Sequence, residues 1–346
     1  MSDRVAILCD THFGVKGDSK VFLDHQERFF RDIFFPYLEA NEITTILHLG
    51  DVFDRRKNIN FYTFSRVKEF FLEKLVPYDF HAVVGNHDTF FTNTNEVNSP
   101  ALLLGNFIDP SQVYVNEPKE LKFGKTKVIM CPWLTRENTE QCLSTVAKSK
   151  AHILMGHFEM KGFEFLKGIK SEHGLDAKLF RNFEGVYSGH FHHQSKQANI
   201  HYLGTPYQMT WADFGETKGF HVLNTNTRDL EFIPNPHDIF HKIIYDGDDT
   251  EIPDLDNSYV RLVVKDRGDL SNFEQYISKL NDSGAVDIKV IEDPSLIIDS
   301  VGDLELDETI TTQEFLHQYI DQVETKVDKT KIKIVIDELY KKALAA

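Results

Sequence analysis

At 346 residues with 41% hydrophobic side chains, the chain can build one large domain with appendages or two domains, and its apolar runs are all too short to span a membrane. Three cysteines without close spacing (Cys9, Cys131, Cys142) argue against a disulfide framework or a thiolate metal site and fit a reducing cytoplasm. The net charge of −16 is unevenly spread: residues 241–346 carry 24 Asp and Glu against 12 Lys and Arg, whereas residues 1–240 carry 30 against 26, so a polyanionic partner for the first part is neither excluded nor advertised.

The N-terminal residues Met1-Ser2-Asp3-Arg4 lead into a five-residue apolar run, too short and wrongly flanked to read as a signal peptide. That run, Val5 to Cys9, predicts a buried strand. A helix over 21–40, a strand over 44–49, a helix over 61–75 and a strand over 80–84 follow, which is βαβ order. Strands are then expected near 119–123, 126–131, 151–155, 185–188, 200–203, 220–224 and 230–233, with a helix near 138–148. More strands and fewer helices in this second half predict two packed sheets with helices outside. The aromatic helix holding Phe61, Tyr62, Phe64, Phe70 and Phe71 reads as core.

The strand ends carry the chemistry. Asp10-Thr11-His12 follows the first strand, Gly50-Asp51-Val52-Phe53-Asp54 the second, and Gly85-Asn86-His87-Asp88 the third. Gly156-His157 and Gly189-His190-Phe191-His192 close two later strands. Five strand ends thus deliver oxygen or imidazole groups, and in an α/β sheet such ends converge on one crevice. Asp, Asn and His without Cys suit manganese, iron or magnesium better than a structural zinc. A carboxylate reachable from both sides can bridge two ions, the arrangement that clamps the oxygens of phosphoryl transfer. Two divalent ions would also bring residues 1–240 near neutrality.

Asp10-x-His12, Gly50-Asp51-x-x-Asp54, Gly85-Asn86-His87-Asp88, Gly156-His157 and Gly189-His190-x-His192, in this order, resemble the five motifs of the calcineurin-like metallophosphoesterases. The resemblance spans roughly residues 5–235 and implies an αββα sandwich of two mixed sheets. Within the superfamily the chain is most similar to the nuclease components of SbcCD-type DNA repair complexes, in particular the short version of T-even-like phages. Pro132-Trp133, the insert Gly162 to Gly168 and Tyr202-Leu203-Gly204-Thr205-Pro206 support that subgroup. Protein phosphatases would continue the second motif with Arg-Gly and end the third in Glu; here Arg55-Arg56 and Asp88 stand instead.

The resemblance implies that Asp10, His12 and His192 hold one metal, that Asn86, His157 and His190 hold the other, and that Asp51 bridges them. The ions are expected to be manganese, with magnesium the alternative. They would activate the attacking water, while His87 stabilises the scissile phosphate and protonates the leaving oxygen. Asp88 either holds the His87 ring or supports a ligand. Asp54 is expected to stand behind a ligand, and Arg55, Arg56 and Lys57 are either DNA-backbone contacts or a solvated loop. The family also implies a duplex 3′-to-5′ exonuclease that cuts single strands, working in the cytoplasm (the bacterial host's, if phage-encoded). A small-molecule phosphodiesterase, a protein phosphatase and an inactive binding scaffold are the competing readings. Partners implied are DNA, a second copy paired through helices near Phe61, and an SMC-like coiled-coil ATPase of the SbcC type in a two-plus-two assembly.

From 241 the pattern changes to strands at 241–245, 259–264 and 286–291 with a helix at 270–281, a small α+β unit that in the family caps the active site over 241–293. Residues 294–310 read as an acidic linker. Two amphipathic helices are expected in 311–346, one from Thr311 to about Thr325 and one from Asp328, and their apolar stripes suit the ATPase partner.

Overall fold

Alternation within the first strand explains the layering. In β1 (Arg4–Leu8) Ala6 and Leu8 point into a core shared with helices, whereas Val5 and Ile7 point into a second core shared with another sheet. A strand apolar on both faces must be covered on both. The computed structural model describes residues 3–166, 169–247, 251–292, 320 and 328–344.

After β1 come helix α1 (residues 20–40), β2 (Thr45–His48), α2 (residues 61–75) and β3 (Asp79–Val83). Both helices contain a turn of i→i+5 bonding, Phe30–Phe34 in α1 and Lys68–Leu72 in α2, and these widened turns meet, with the Phe30 and Phe71 rings 4.8 Å apart. Next are α3 (Ser99–Leu103), β4 (Val113–Tyr114), β5 (Lys119–Phe123), β6 (Thr126–Cys131), α4 (Thr139–Lys148) and β7 (Ile153–His157). A hairpin of β8 (Glu164–Leu166) and β9 (Ile169–Lys170) forms the insert, followed by β10 (Gly185–Gly189), β11 (Ser195–Gln197), β12 (Ile200–Tyr202), β13 (Gly219–Asn224) and β14 (Leu230–Pro234).

One sheet runs β14-β13-β1-β2-β3-β4 and the other β11-β12-β10-β7-β6-β5. Both are mixed: β1, β2 and β3 are parallel with β13 antiparallel at β1, and β6, β7, β10 and β12 are parallel with antiparallel edges. Val5, Ile7, Leu47 and Val83 of the first sheet pack against Val128, Met130, Ile153 and Met155 of the second. Helices α1 and α2 cover the outer face of the first sheet and α4 that of the second. The αββα sandwich expected from the sequence is therefore the fold. Of the aromatic helix, Phe70 and Phe71 are buried, while Phe61 is 90% exposed at its N-terminus.

A separate three-stranded parallel sheet follows, β15 (Phe240–Asp246), β16 (Tyr259–Asp266) and β17 (Asp287–Ile291), with α5 (Leu270–Asn281) across it. Its own core contains Tyr245, Leu262, Phe273 and Tyr276. Ile239 and Phe240 still belong to the core of the first sheet, so the small unit is rooted there. The last described element is α6 (Lys329–Leu344), whose first turn is capped by Asp328 accepting from the Thr330 amide at 2.9 Å. The expected acidic linker and, apart from Ile320, the first of the two C-terminal helices lie outside the described residues.

Candidate metal centre

Each candidate ligand sits just past, or on the last residues of, a strand. The parallel strands β1, β2 and β3 present theirs at one edge, and β7 and β10 present His157 and His190 at the facing edge. The two edges meet: His157 Nδ1 lies 2.8 Å from the Leu49 carbonyl, and the His190 amide donates to Asp10 Oδ1 at 2.9 Å. Asp10, His12, Asp51 and His190 have positive φ, at 54°, 42°, 55° and 90°. Such left-handed backbone costs energy in non-glycine residues, is tolerated best by Asp, Asn and His, and persists only where surroundings enforce it. Here the Asp10 and His12 amides donate to the Gly50 and Asp51 carbonyls, at 3.0 and 3.1 Å. Two glycines give the room: a Cβ on Gly85 would collide with the Asp51 carboxylate and amide, and one on Gly189 would stand 2.8 Å from Asp10 Oδ2.

Two donor sets result. His12 Nε2 and His192 Nε2 are 3.2 Å apart with an Asp10 oxygen within 4.8 Å of both rings' donor atoms. Asn86 Oδ1 lies 2.7 Å from His157 Nε2 and 3.0 Å from His190 Nδ1. Asp51 Oδ2 stands between the sets, 3.6 Å from His12 Nε2 and 3.2 Å from His157 Nε2. The seven side chains named from the sequence thus lie together, and Asp10, His12, Asp51, Asn86 and His157 are essentially inaccessible to solvent.

The donor chemistry fits divalent cations. Asp10 Oδ2 is a buried carboxylate oxygen with no hydrogen-bond donor, and Asp51 Oδ2 has the imidazole nitrogens of His12 and His157 beside it, a costly arrangement unless positive charge faces these oxygens. Burial opposes a charge on either histidine, yet Asp54, Asp51 and Asp10 push the His12 pKa up to about 10, and Asp51 and Asp10 push that of His157 up to about 9. Burial would likewise raise the Asp51 carboxyl, but His157 and His87 hold it well below the usual carboxylate range. The site therefore demands positive charge, and protons on imidazoles supply it in the absence of metal.

The sequence model of the calcineurin-like phosphoesterase family matches residues 3–194. The chain belongs to that family. It is 31% identical over 346 residues to Exonuclease subunit 1 of Enterobacteria phage T4, covering 98% of this chain and 99% of the phage protein. It is 30% identical over 108 residues to a component of the nuclease SbcCD of Staphylococcus epidermidis, covering 28% of this chain and 29% of that one. Among solved structures, a dimetal phosphatase from Danio rerio aligns with a TM-score of 0.43 and 12% identity over 64% of this chain and 92% of that chain. Calcineurin-like phosphoesterases use a dinuclear metal site, and the groups Asp10, His12 and His192 and Asp10, Asp51 and His157 bring together side chains that could hold metal here.

His87 stands beside the donors without joining either set, its ring 4.7 Å from that of His12. Its Nδ1 is 2.7 Å from the Asp54 carbonyl oxygen, which can only accept, so Nδ1 carries the proton and Nε2 is the variable nitrogen. The expectation that Asp88 orients this ring is corrected. The Asp88 carboxylate turns away into the protein and accepts from the amides of Gly85, Asp51 and Val52 at 2.8–2.9 Å and of Phe53 at 3.3 Å. Burial and the neighbouring Asp51 charge push its pKa up to about 6 against those amides. Asp88 thus staples the second and third ligand loops together, the other role open to it. Asp54 Oδ1 is 3.2 Å from His12 Nδ1, the ring nitrogen that does not face His192.

The three basic residues of that loop differ. Arg55 is exposed and pairs with Asp18 at 3.1 Å, and Lys57 is exposed. Arg56 is only 8% exposed, so it is not presented to a phosphate backbone, which corrects the sequence-based alternative for that residue.

Several supporting residues escaped the sequence reading. Gln26 Nε2 donates to the carbonyls of Thr11 and His12 at 3.1 and 3.2 Å, and the Tyr207 hydroxyl donates to the Thr11 carbonyl at 2.5 Å. Trp133, which the sequence marks only as part of a subgroup motif, lies beside the second set, its ring 5.1 Å from His190 and 5.8 Å from His157. His193, adjacent to a ligand, instead meets Glu216 at 2.6 Å. Lys218, 3% exposed, joins Asp213, Glu216 and the His192 carbonyl. A lysine just before an apolar strand was the one available signal for that last group.

Proposed function

We infer that the chain is a metal-dependent DNA nuclease of the SbcCD type. The observation that carries this is near full-length similarity to an exonuclease subunit of a phage, combined with two buried donor sets sharing one carboxylate. Asp10, His12 and His192 would hold one ion, Asn86, His157 and His190 the other, with Asp51 between them. Bound divalent cations, for which manganese suits the Asp/Asn/His donor set and magnesium is the alternative, supply Lewis-acid polarisation of the phosphate and a water acidic enough to attack at neutral pH.

The protein's own groups do the rest. Asp51, held by the His87 amide at 2.8 Å, keeps the two donor sets in register. His87, with Nδ1 tied to the Asp54 carbonyl, offers Nε2 to the scissile phosphate and delivers a proton to the departing sugar oxygen. Arg55 and Lys57 steer the DNA backbone. The three-stranded unit of β15–β17, assigned to residues 241–293, helps position DNA. By resemblance to its relatives, the chain degrades duplex DNA from the 3′ end and cuts single strands. It does so as a homodimer within a two-plus-two assembly in the cytoplasm, and residues 311–346 grip the coiled coil of an SMC-like ATPase.

Purified chain incubated with Mn2+ and end-labelled duplex or circular single-stranded DNA tests the reading, beside p-nitrophenyl phosphate as a generic phosphatase substrate. DNA cleavage far above phosphatase turnover supports it; phosphatase turnover with intact DNA defeats it. Removing residues 309–346 should abolish association with the ATPase and leave Mn2+-dependent chemistry in place.

A further inference from the structure

We propose that Lys218 is a positioning residue for His192: its buried ammonium holds the His192 main chain and so fixes the imidazole that faces His12. The inference rests on the dinuclear reading of the site and adds to it a residue whose ammonium meets the His192 main chain and none of the ligand atoms of either set.

The ammonium has three donors, and three oxygens take them: the His192 carbonyl at 3.0 Å, Asp213 Oδ1 at 2.6 Å and Glu216 Oε2 at 3.0 Å. Each partner is itself fixed. Asp213 Oδ2 accepts from the amides of Met209 and Thr210 at 2.9 and 2.8 Å, and Glu216 Oε1 meets His193 Nδ1 at 2.6 Å. One segment, residues 209–218, therefore grips the ligand loop twice, at the carbonyl of His192 and at the ring of His193. His192 is left with its Nε2 3.2 Å from His12 Nε2 and little freedom behind it.

His193, Asp213 and Glu216 offer ligand atoms within 4.8 Å of one another, a spacing that by itself would suit a third metal. Lys218 fills that place with a tethered cation. The Thr205 amide already donates to the His192 carbonyl at 3.2 Å, so a buried lysine needing two carboxylates is not required merely to satisfy that oxygen. A geometric role for the group is the better account of it. The far end of the segment is also anchored, since the Trp211 ring packs against that of Phe240 with centroids 4.7 Å apart and lies under the Arg261 guanidinium at 4.0 Å.

The test is Mn2+ titration of the metal-free full chain, followed by calorimetry and by the electron paramagnetic resonance signature of a spin-coupled pair. Wild type should bind two ions. Lys218→Met should bind one with wild-type affinity and the other about tenfold more weakly or worse, losing the coupled signature at limiting metal. Lys218→Arg, which keeps charge and donors, should recover most of it. The combined variant Asp213→Asn, Glu216→Gln, Lys218→Met removes the charges together and carries the test if Lys218→Met does not fold by circular dichroism. Two ions bound as in wild type, or both weakened alike, would overturn the proposal. A wild-type chain that binds no Mn2+ would instead sink the dinuclear reading itself.

Discussion

The Nε2 atoms of His12 and His192, 180 positions apart in the sequence, face each other at 3.2 Å. Two neutral imidazoles cannot both aim lone pairs across that gap, so a proton or a cation must stand with them. Burial and the neighbouring His12 charge hold the His192 pKa well below its usual value, which leaves it a neutral donor for a metal.

His87 belongs to neither donor set. His87→Asn should lower the DNA cleavage rate by roughly 10²- to 10⁴-fold, the scale of general acid catalysis, with Mn2+ affinity unchanged. Loss of both together, or of neither, would defeat the assignment.

Asp88 is predicted to act on stability and loop geometry. Asp88→Ala strands the amides of Gly85, Asp51, Val52 and Phe53 at about 1–3 kcal/mol for each one left unsatisfied, and a large drop in the urea midpoint is expected together with weaker Mn2+ binding. Normal stability and metal binding with cleavage lost would instead return Asp88 to a role on the His87 ring.

How legible the site was depends on distance along the chain. Each ligand follows an apolar run and lies near a glycine, a local pattern that sequence displays directly. The two roles open to Asp88 could not be separated in the sequence because adjacency to His87 suggests contact, whereas the turn sends the neighbouring side chains to different partners, the Asp54 carbonyl and the buried amides. Tyr207 reaches Thr11 across 196 positions and Lys218 reaches His192 across 26, and neither partner is visible without the fold. The sandwich was legible because its central strands, such as those ending in Ile7-Leu8 and holding Ile153-Leu154-Met155, are continuous apolar runs. Ser99–Leu103 and Val113–Tyr114 were missed because five and two residues are too few to establish a period.

Phosphate contacts should separate the basic loop residues. Arg55→Ala and Lys57→Ala should each flatten the salt dependence of DNA binding by about one unit of log–log slope. Arg56→Ala should lower stability with little change of slope, because its side chain is buried. Equal slopes in all three variants and wild type would remove the loop from the DNA path.

A buried histidine outside the candidate metal groups sets a pH dependence. Burial and the nearby His201 lower the His221 pKa from 6.5 to about 4. Above pH 6.5 neither folded nor unfolded chain protonates it. Between pH 6.5 and about 4 the unfolded chain takes up the proton and the folded chain does not, so folding stability falls by about 1.4 kcal/mol per pH unit. Below that window both states are protonated and the loss is complete. His221→Phe, which keeps a ring against Phe232, should lose less stability than wild type between pH 7 and 5 in urea titrations. Parallel losses in the two proteins would refute the shift.

Anomalous diffraction at the manganese edge from crystals grown with Mn2+ bears most directly on the dinuclear centre. Two peaks are predicted, one among Asp10, His12 and His192 and one among Asn86, His157 and His190, with Asp51 reaching both. A single peak, or none, at saturating Mn2+ would contradict the two-metal account.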